Sequence, residues 1–411
     1  MPREPTAAFF DALEHRDAEE RERNLFDRLP GQVAFARERS DYYRQALAAV
    51  DPALVDGRAA LARLPITRKS GLVELQRAHR PFGGLNATPP SGLARIFVSP
   101  GPIYEPEGRR PDFWHAARTL FAAGFRPGDV VLNCFSYHLT PAGSMFETGL
   151  HRLDCAVIPG GVGQTELQAR AIADLGPSGY VGTPSFLKLI LEKCDELGLA
   201  SSSVKRALVS GEAYLPQVRD FLKARGIAGF QAYGTADLGM VAYETEAREG
   251  LVLNEEMILE IVRPGTGDPV ADGEVGEVVV TTFNADYPLL RFATGDLSAV
   301  LPGRSPCGRT NVRIKGWMGR ADQATKVRGM FVHPHQVAKV LRRHGVKRGR
   351  LVVENVAGDD RMILRVEGAA DARALEASLR DVLKVRGEIC TVPPDSLPND
   401  GKVIEDLRNH S

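Results

Sequence analysis

The chain has 411 residues, with 52 Lys and Arg against 52 Asp and Glu, so its formal charge is zero. That balance argues against a nucleic-acid protein, which carries a basic excess or a basic face, and against a polybasic membrane anchor. Hydrophobic residues make up 43% and charged residues 25% of the 411, a soluble globular mix, and at about 100–200 residues per domain this length predicts two or three domains.

Residues 5–50 read as helical. Phe9, Phe10, Leu13, Leu25, Phe26 and Leu29 fall near helical spacing, and the run EHRDAEERER (14–23) reads as a solvated helix face. Residues 51–92 are mixed, broken by Pro65 and Pro81. From Arg95 the pattern becomes short apolar runs: ARIFV (94–98), DVVLNC (129–134), CAVIPG (155–160), SGYVGT (178–183) and KRALVSGE (205–212). Helical stretches at 113–123, 166–175, 184–197 and 216–225 separate them. Strands alternating with helices predict an α/β core with parallel strands. From 250 the style changes. MILEIV (257–262) and GEVGEVVVTTF (273–283) read as antiparallel strands, with GTGDP (265–269) as a turn between them. The tail reads as a compact α+β unit: helix 334–344, strands 351–356 and 362–367, helix 370–383. The expected boundary is the turn Gly319-Arg320-Ala321-Asp322, giving domains 1–319 and 320–411. The expected class is α/β, a large N-terminal domain with an antiparallel subdomain and a small α+β C-terminal domain.

Five cysteines, at 134, 155, 194, 307 and 390, form no CxxC pair. That favours a reducing compartment over a disulfide framework. The opening MPREPTAAFFDALEHRD becomes charged too early for a secretory signal. No apolar run approaches the roughly 20 residues of a spanning helix. The expectation is a cytoplasmic enzyme with no membrane or nucleic-acid partner.

Four segments carry candidate chemistry. The first three are read as loops that follow strands, where open α/β sheets bind ligands. They are Ser210-Gly211-Glu212-Ala213, the stretch Gln231 to Asp237, and the stretch Leu290 to Asp296. The second brings together a flat aromatic (Tyr233), a glycine (Gly234), a hydroxyl (Thr235) and a carboxylate (Asp237). That set suits a base, a phosphate and a hard cation. In the third, Asp296 follows a glycine and suits ribose hydroxyls. The fourth, Pro398-Asn399-Asp400-Gly401-Lys402, is a turn presenting a lysine. Taken singly, each is also explained by ordinary turn chemistry.

In order and spacing these segments resemble the phenylacetate–CoA ligase family of acyl-adenylate-forming enzymes. The Tyr-Gly-x-Ser/Thr-Glu loop is matched by Tyr233 to Asp237, and the Arg-Tyr-x-Thr-x-Asp segment by Arg291 to Asp296. Gly-Arg-x-Asp is matched by Gly319 to Asp322, and Arg-Gly-x-x-x-x-Pro by Arg328 to Pro334. Near the end, Gly401-Lys402 matches a Gly-Lys. The likeness extends through RLPITRKSGL (63–72), HRPFGG (79–84), AAGFRPGDVV (122–131), GTPSFL (182–187), YYRQAL (42–47) and TGDPVADGEVGEVVVTTF (266–283). It implies that a small aryl or related carboxylic acid reacts with ATP to give an acyl-adenylate, and that coenzyme A then displaces AMP. It implies that Tyr233 stacks on adenine with Gly234, Thr235 and Glu212 nearby, and that Asp296 and Arg320 meet the ribose. It also implies that Asp237 meets Mg²⁺ and that Lys402 steadies carboxylate and α-phosphate. Asp322 falls at the family's hinge, so the small domain would be mobile and rotate to bring Arg328 and Gly329 to the coenzyme A channel. Tyr137 and His138 fall in the family's acyl-pocket region; packing explains them equally. A homodimer stays open.

The family's phosphate loop, Ser-Ser-Gly-Thr-Thr-Gly-Lys-Pro, corresponds to 98–108. Here Pro100, Pro102 and Pro106 remove N–H donors, the lysine is absent, and Glu105 and Glu107 add negative charge. Arg109 and Arg110 follow. Two other readings therefore stand beside the ligase: a non-adenylating homologue that binds nucleotide or acyl-CoA, and an adenylating enzyme with a different acceptor. Where some members hold zinc, this chain has Tyr243, Leu253 and Cys307. One cysteine does not make a tetrahedral site, so no zinc is expected. His333 and His335 flank Pro334, as a metal pair or a solvated loop. Cys134 and Cys155 are expected to be buried in strands.

Overall fold

In the computed structural model the first long helix, Ala18–Arg39, starts at Asp17, whose carboxylate accepts from the N–H groups of Glu19 (2.9 Å) and Glu20 (3.0 Å). Leu25, Leu29, Val33 and Ala36 recur at three- and four-residue spacing and are buried as one face. Each buried Leu or Val there contributes roughly 1.5–3 kcal/mol. The charge run 14–23 is only partly a solvated face. Glu14 and Arg21 are buried, because each finds a distant partner. Arg21 makes a two-pronged pair with Glu255 (3.0 and 3.1 Å), and Glu14 accepts from Arg309 Nε at 2.8 Å.

The structure describes residues 8–99, 101–212, 214–318, 320–321, 325–327, 330–332, 334–346, 348–356, 359–398 and 402–408. The chain divides into two units, Met1–Met318 and Gly319–Ser411. Strands of the first unit are β1 (Thr67–Arg68), β2 (Arg95–Ser99), β3 (Ile103–Glu107), β4 (Val130–Asn133), β5 (Ala156–Pro159), β6 (Gly179–Gly182), β7 (Arg206–Val209), β8 (Ala228–Thr235), β9 (Gly239–Glu244), β10 (Leu251–Leu253), β11 (Met257–Val262), β12 (Gly276–Thr282), β13 (Phe292–Ser298), β14 (Val300–Leu301) and β15 (Arg313–Ile314).

The large sheet runs β14-β15-β10-β9-β8-β7-β6-β4-β5. From β5 to β8 the neighbours are parallel, and beyond β8 they are antiparallel. Parallel neighbours need crossovers, which the helices Ala142–Arg152, Thr165–Leu175, Pro184–Glu196 and Pro216–Ala224 supply. Covered on both faces, β6 is buried throughout. A second sheet runs β1-β13-β12-β11, with β1 parallel to β13 and the remaining pairs antiparallel.

Four sequence expectations change. The run 94–98 does not join the parallel sheet. It forms β2, which turns back at once and pairs antiparallel with β3, since three intervening residues cannot make a parallel crossover. Residues 98–108, expected as a loop, are therefore mostly hairpin strand. The stretch Gln231 to Asp237 is largely β8, and Asp296 lies within β13 rather than in a loop after it.

The second unit holds β16 (Thr325–Val327), β17 (Met330–Val332), β18 (Gly349–Val356), β19 (Asp359–Glu367), β20 (Glu388–Val392) and β21 (Ile404–Asp406), with helices Pro334–Arg343 and Ala372–Leu383. Its sheet runs β20-β19-β18-β21 over a core including Val337, Leu351, Val353, Leu364, Leu375 and Leu379. Among the described residues no helix is long and apolar enough to cross a membrane.

Candidate functional site

Strand β7 ends into Ser210, Gly211 and Glu212. Gly211 has φ +85°, which a side chain rarely tolerates. Ser210 Oγ donates to the Ala232 carbonyl at 2.9 Å, tying this turn to β8. Glu212 is fixed from the other side. Thr183 caps the helix Pro184–Glu196, with Pro184 at its first position. The next N–H, of Ser185, donates to Glu212 Oε1 at 2.7 Å. A carboxylate at a helix N-terminus gains about 0.3–1 kcal/mol there.

On β8, Gly234 has no room for a side chain: a Cβ would stand 2.3 Å from Met240 Cε and 2.7 Å from the Gly239 carbonyl oxygen. Beside it, Tyr233 is buried and its hydroxyl donates to Asp296 Oδ2 at 2.9 Å, with Thr294 Oγ1 at 3.2 Å. Trp317 Nε1 donates to Asp296 Oδ1 at 3.1 Å. These groups line one cavity of about 540 Å³, walled by Glu212, Tyr214, Tyr233, Gly234, Asp296 and Trp317. It lies at the carboxyl ends of β7 and β8, the expected place in an open α/β sheet. Thr235 is used differently: its Oγ1 accepts from the N–H groups of Asp237 (3.3 Å) and Leu238 (3.1 Å) and shapes the turn into β9.

That turn presents Asp237 to a buried charge cluster. Lys69 Nζ donates to Asp237 Oδ2 at 2.6 Å, and the Asp237 side chain has no exposed surface. Burial opposes the Lys69 charge, but Asp237, Glu105 and Asp296 outweigh it and raise its pKa. Glu105, also fully buried, is pushed up to about 7, first by burial and then by the Asp237 charge. Among the described residues no group of three His, Cys, Asp or Glu is arranged to hold a metal. Asp237 Oδ1, however, is buried with no hydrogen-bond partner. One open carboxylate oxygen fits Mg²⁺, which binds through one or two carboxylates plus substrate phosphates.

The structure thus gathers Glu212, Tyr233, Gly234 and Asp296 around the cavity, with Thr235 and Asp237 in the adjoining turn. Arg291, in the same motif as Asp296, is a structural clamp. Its backbone is left-handed (φ +44°), and its guanidinium pairs with Glu260 (3.0 Å twice) and donates to the carbonyls of Ala62, Leu64 and Gly267. Tyr137 and His138 do not line this cavity. The Tyr137 hydroxyl accepts from Asn133 Nδ2 at 2.8 Å, and His138 is exposed. Lys402 is exposed and Arg320 half-buried in the second unit. Asp322, Arg328, Gly329 and His333 lie outside the described residues. At the positions considered for zinc, Tyr243 donates to Glu14 at 2.7 Å and Arg309 points a guanidinium N–H at Cys307 Sγ at 3.6 Å. Trp317 had no motif to mark it, and Lys69 stood unassigned inside the family-like stretch RLPITRKSGL (63–72), next to the short strand Thr67–Arg68 that pairs with β13.

Residues 113–284 match the model of the AMP-binding enzyme family. Phenylacetate–coenzyme A ligase of Thermus thermophilus is 32% identical over 372 residues, 86% of this chain and 80% of that protein. The enzyme of the same name from Escherichia coli (strain K12) is 32% identical over 349 residues, 80% of this chain and 78% of that one. Among solved structures, 2-hydroxyisobutyryl-CoA ligase, in complex with 2-HIB-AMP and CoA, superposes with a TM-score of 0.75 at 25% identity, covering 98% of this chain and 93% of that one. The likeness therefore runs through both units and not the cavity alone, and the chain belongs to the phenylacetate–coenzyme A ligase family of AMP-binding enzymes.

Proposed function

We propose that the protein is an ATP-dependent acid–coenzyme A ligase acting on a small aryl or related carboxylic acid. A carboxylate oxygen attacks the α-phosphorus of ATP, forming the acyl-adenylate as the bond to pyrophosphate breaks. The coenzyme A sulfur then attacks the acyl carbon, forming the thioester as AMP leaves and the thiol proton passes to solvent. The observation that carries this reading is the single cavity holding Tyr233, Gly234, Glu212 and Asp296.

The residues of the first unit have work suited to their surroundings. Tyr233, held by its hydroxyl, offers its ring to adenine, and Glu212, fixed on the Ser185 N–H, offers an acceptor to the base edge. Asp296 accepts from the ribose hydroxyls, since a carboxylate has acceptor capacity beyond its two protein donors. Arg320 serves the same sugar. Asp237 would hold Mg²⁺ through its open oxygen, and the ion's part is to offset phosphate charge. Lys402 brings fixed positive charge to the meeting of two anions. Asp322 serves as hinge, and Arg328 and Gly329 serve the coenzyme A channel after the second unit, acting as a lid on the first, has turned.

The test is pyrophosphate release with ATP, Mg²⁺ and a panel of aryl acids, followed by thioester formation with coenzyme A. Absence of adenylation with every acid, together with absence of AMP binding, would overturn the reading. The Glu105 contact with Ser99 favours one alternative, a homologue that binds nucleotide or acyl-CoA without turnover. Calorimetric binding of AMP or coenzyme A without pyrophosphate release would identify it.

A further inference from the structure

Ser99 ends β2 opposite Ile103, and Glu105, two residues further along β3, pairs with Phe97 and is a diagonal neighbour of Ser99. The Glu105 side chain folds back over the turn. Its Oε2 accepts from the Ser99 N–H at 3.2 Å, and its Oε1 accepts from the Ser99 hydroxyl. Glu105 is fully buried and Ser99 is nearly so. Pro102, in the turn, and Pro106, within β3, carry no N–H to offer an anion. The N–H and hydroxyl of Ser99 at the base of this turn are already occupied by a carboxylate belonging to the chain.

The surroundings make this contact matter for nucleotide. Glu105 and Asp237 act on each other and share one ammonium, that of Lys69, on which Asp296 also acts. With both acids ionised, the Glu105–Asp237–Lys69 group carries a net negative charge before any ligand enters. A nucleoside monophosphate places one phosphate beyond the sugar held at Asp296. A triphosphate carries two more, and Asp237, the residue that would hold Mg²⁺ for them, is a carboxylate that Glu105 already faces. Like charges in a dry site repel strongly, and an anion needing the Ser99 donors finds them taken.

We propose that Glu105 is a resident anion that sets nucleotide specificity: the site prefers a nucleoside monophosphate or its acyl ester, and a triphosphate enters by displacing Glu105 from Ser99. The proposal rests on the nucleotide reading of the cavity given above. It makes Glu105 a specificity-determining residue for the entry of ATP.

The experiment is calorimetric titration, at pH 8 where Glu105 is ionised, of the full-length protein, Glu105→Gln and Glu105→Ala with AMP and with a non-hydrolysable ATP analogue, each with and without Mg²⁺. Glu105→Gln keeps the shape and an oxygen for Ser99 while removing the charge; Glu105→Ala vacates the site. The wild type is expected to bind AMP more tightly than the triphosphate. Both variants are expected to tighten triphosphate binding by about tenfold, leaving AMP within about twofold. AMP binding also reports that each variant is folded, and Glu105→Gln carries the test if Glu105→Ala does not fold. Triphosphate affinities unchanged in a variant that still binds AMP would overturn the proposal, as would equal shifts for both nucleotides. Wild-type AMP binding without pyrophosphate release, with tighter triphosphate binding in the variants, would sink the ligase reading and leave the Glu105 assignment standing. No AMP binding by the wild type would sink both.

Discussion

The hydroxyl of Tyr233 and the carboxylate of Asp296 are joined at 2.9 Å, and Trp317 holds the other carboxylate oxygen at 3.1 Å. Two donors on opposite oxygens fix the plane of the carboxylate. A sugar diol entering the cavity then meets an acceptor whose orientation is already set, so little ordering cost remains at binding. Hydrogen bonds to a charged group are worth about 1.5–3 kcal/mol each. Asp296→Ala should therefore weaken AMP binding by roughly 30-fold or more. Tyr233→Phe removes only the positioning contact and should cost about three- to tenfold. Calorimetry checks both; AMP affinity within about twofold of wild type in Asp296→Ala would remove Asp296 from the nucleotide site.

Lys402 is exposed on the second unit. The role proposed for it, bringing carboxylate and α-phosphate together, would make it needed in the first half-reaction alone. Lys402→Ala should lower adenylation about 100-fold or more, read as pyrophosphate release. Thioester formation from a supplied acyl-adenylate should stay within about threefold of wild type. Comparable loss in both half-reactions would contradict the division of labour between the two states of the second unit.

What was legible in the sequence was local. Strands β4, β6 and β7 showed as short apolar runs because crossover helices cover both their faces. The helix from Pro184 showed as a helical stretch, and Leu25 and Leu29 fell at helical spacing. Asp296 was expected as a binding residue in a loop, because the preceding Gly295 suggested a turn where β13 continues through it. What stayed hidden depends on chain crossing. Lys69 and Asp237 are 168 residues apart, and Glu14 and Arg309 are 295 apart. No local pattern announces such pairs. The charge on Glu105 was visible as a conflict with phosphate, but its fold back onto Ser99 follows from the hairpin register, which the prolines disguised as loop.

Glu14 offers a test of how the N-terminal segment is held. It is buried and accepts from the Phe10 N–H (2.5 Å), the Tyr243 hydroxyl (2.7 Å) and Arg309 Nε (2.8 Å). Removing one partner of a buried ion pair strands the other charge, at a typical cost of about 3–5 kcal/mol. Glu14→Ala should destabilise the first unit by that order, seen as an earlier unfolding transition in guanidinium. Adding Arg309→Met should recover part of the loss, since the stranded charge is then gone. A loss below about 1 kcal/mol for Glu14→Ala would mean that the network is not what anchors the segment.

Glu105 predicts a pH dependence whose sign follows from its burial. In the folded chain its carboxyl titrates at about 7 instead of 4.5, because burial disfavours the charged form and Asp237 repels it, against the pull of Ser99 and Lys69. The folded state therefore holds this proton across a window in which the unfolded chain releases it. The stabilising contribution is complete below about pH 4.5 and is lost as pH rises through about 7. A tenfold change in proton affinity is worth about 1.4 kcal/mol, so the loss across the window is on the order of 3 kcal/mol. Asp237, Lys69 and the buried Tyr287 hydroxyl face the same space, so the wild-type profile alone mixes their contributions. Glu105→Gln separates them, because it has no proton to lose. Denaturation of both proteins at pH 5, 6, 7 and 8 should show the stability of Glu105→Gln relative to wild type rising with pH and levelling off above about 7. A difference that stays constant over that range would mean that Glu105 keeps one charge state throughout.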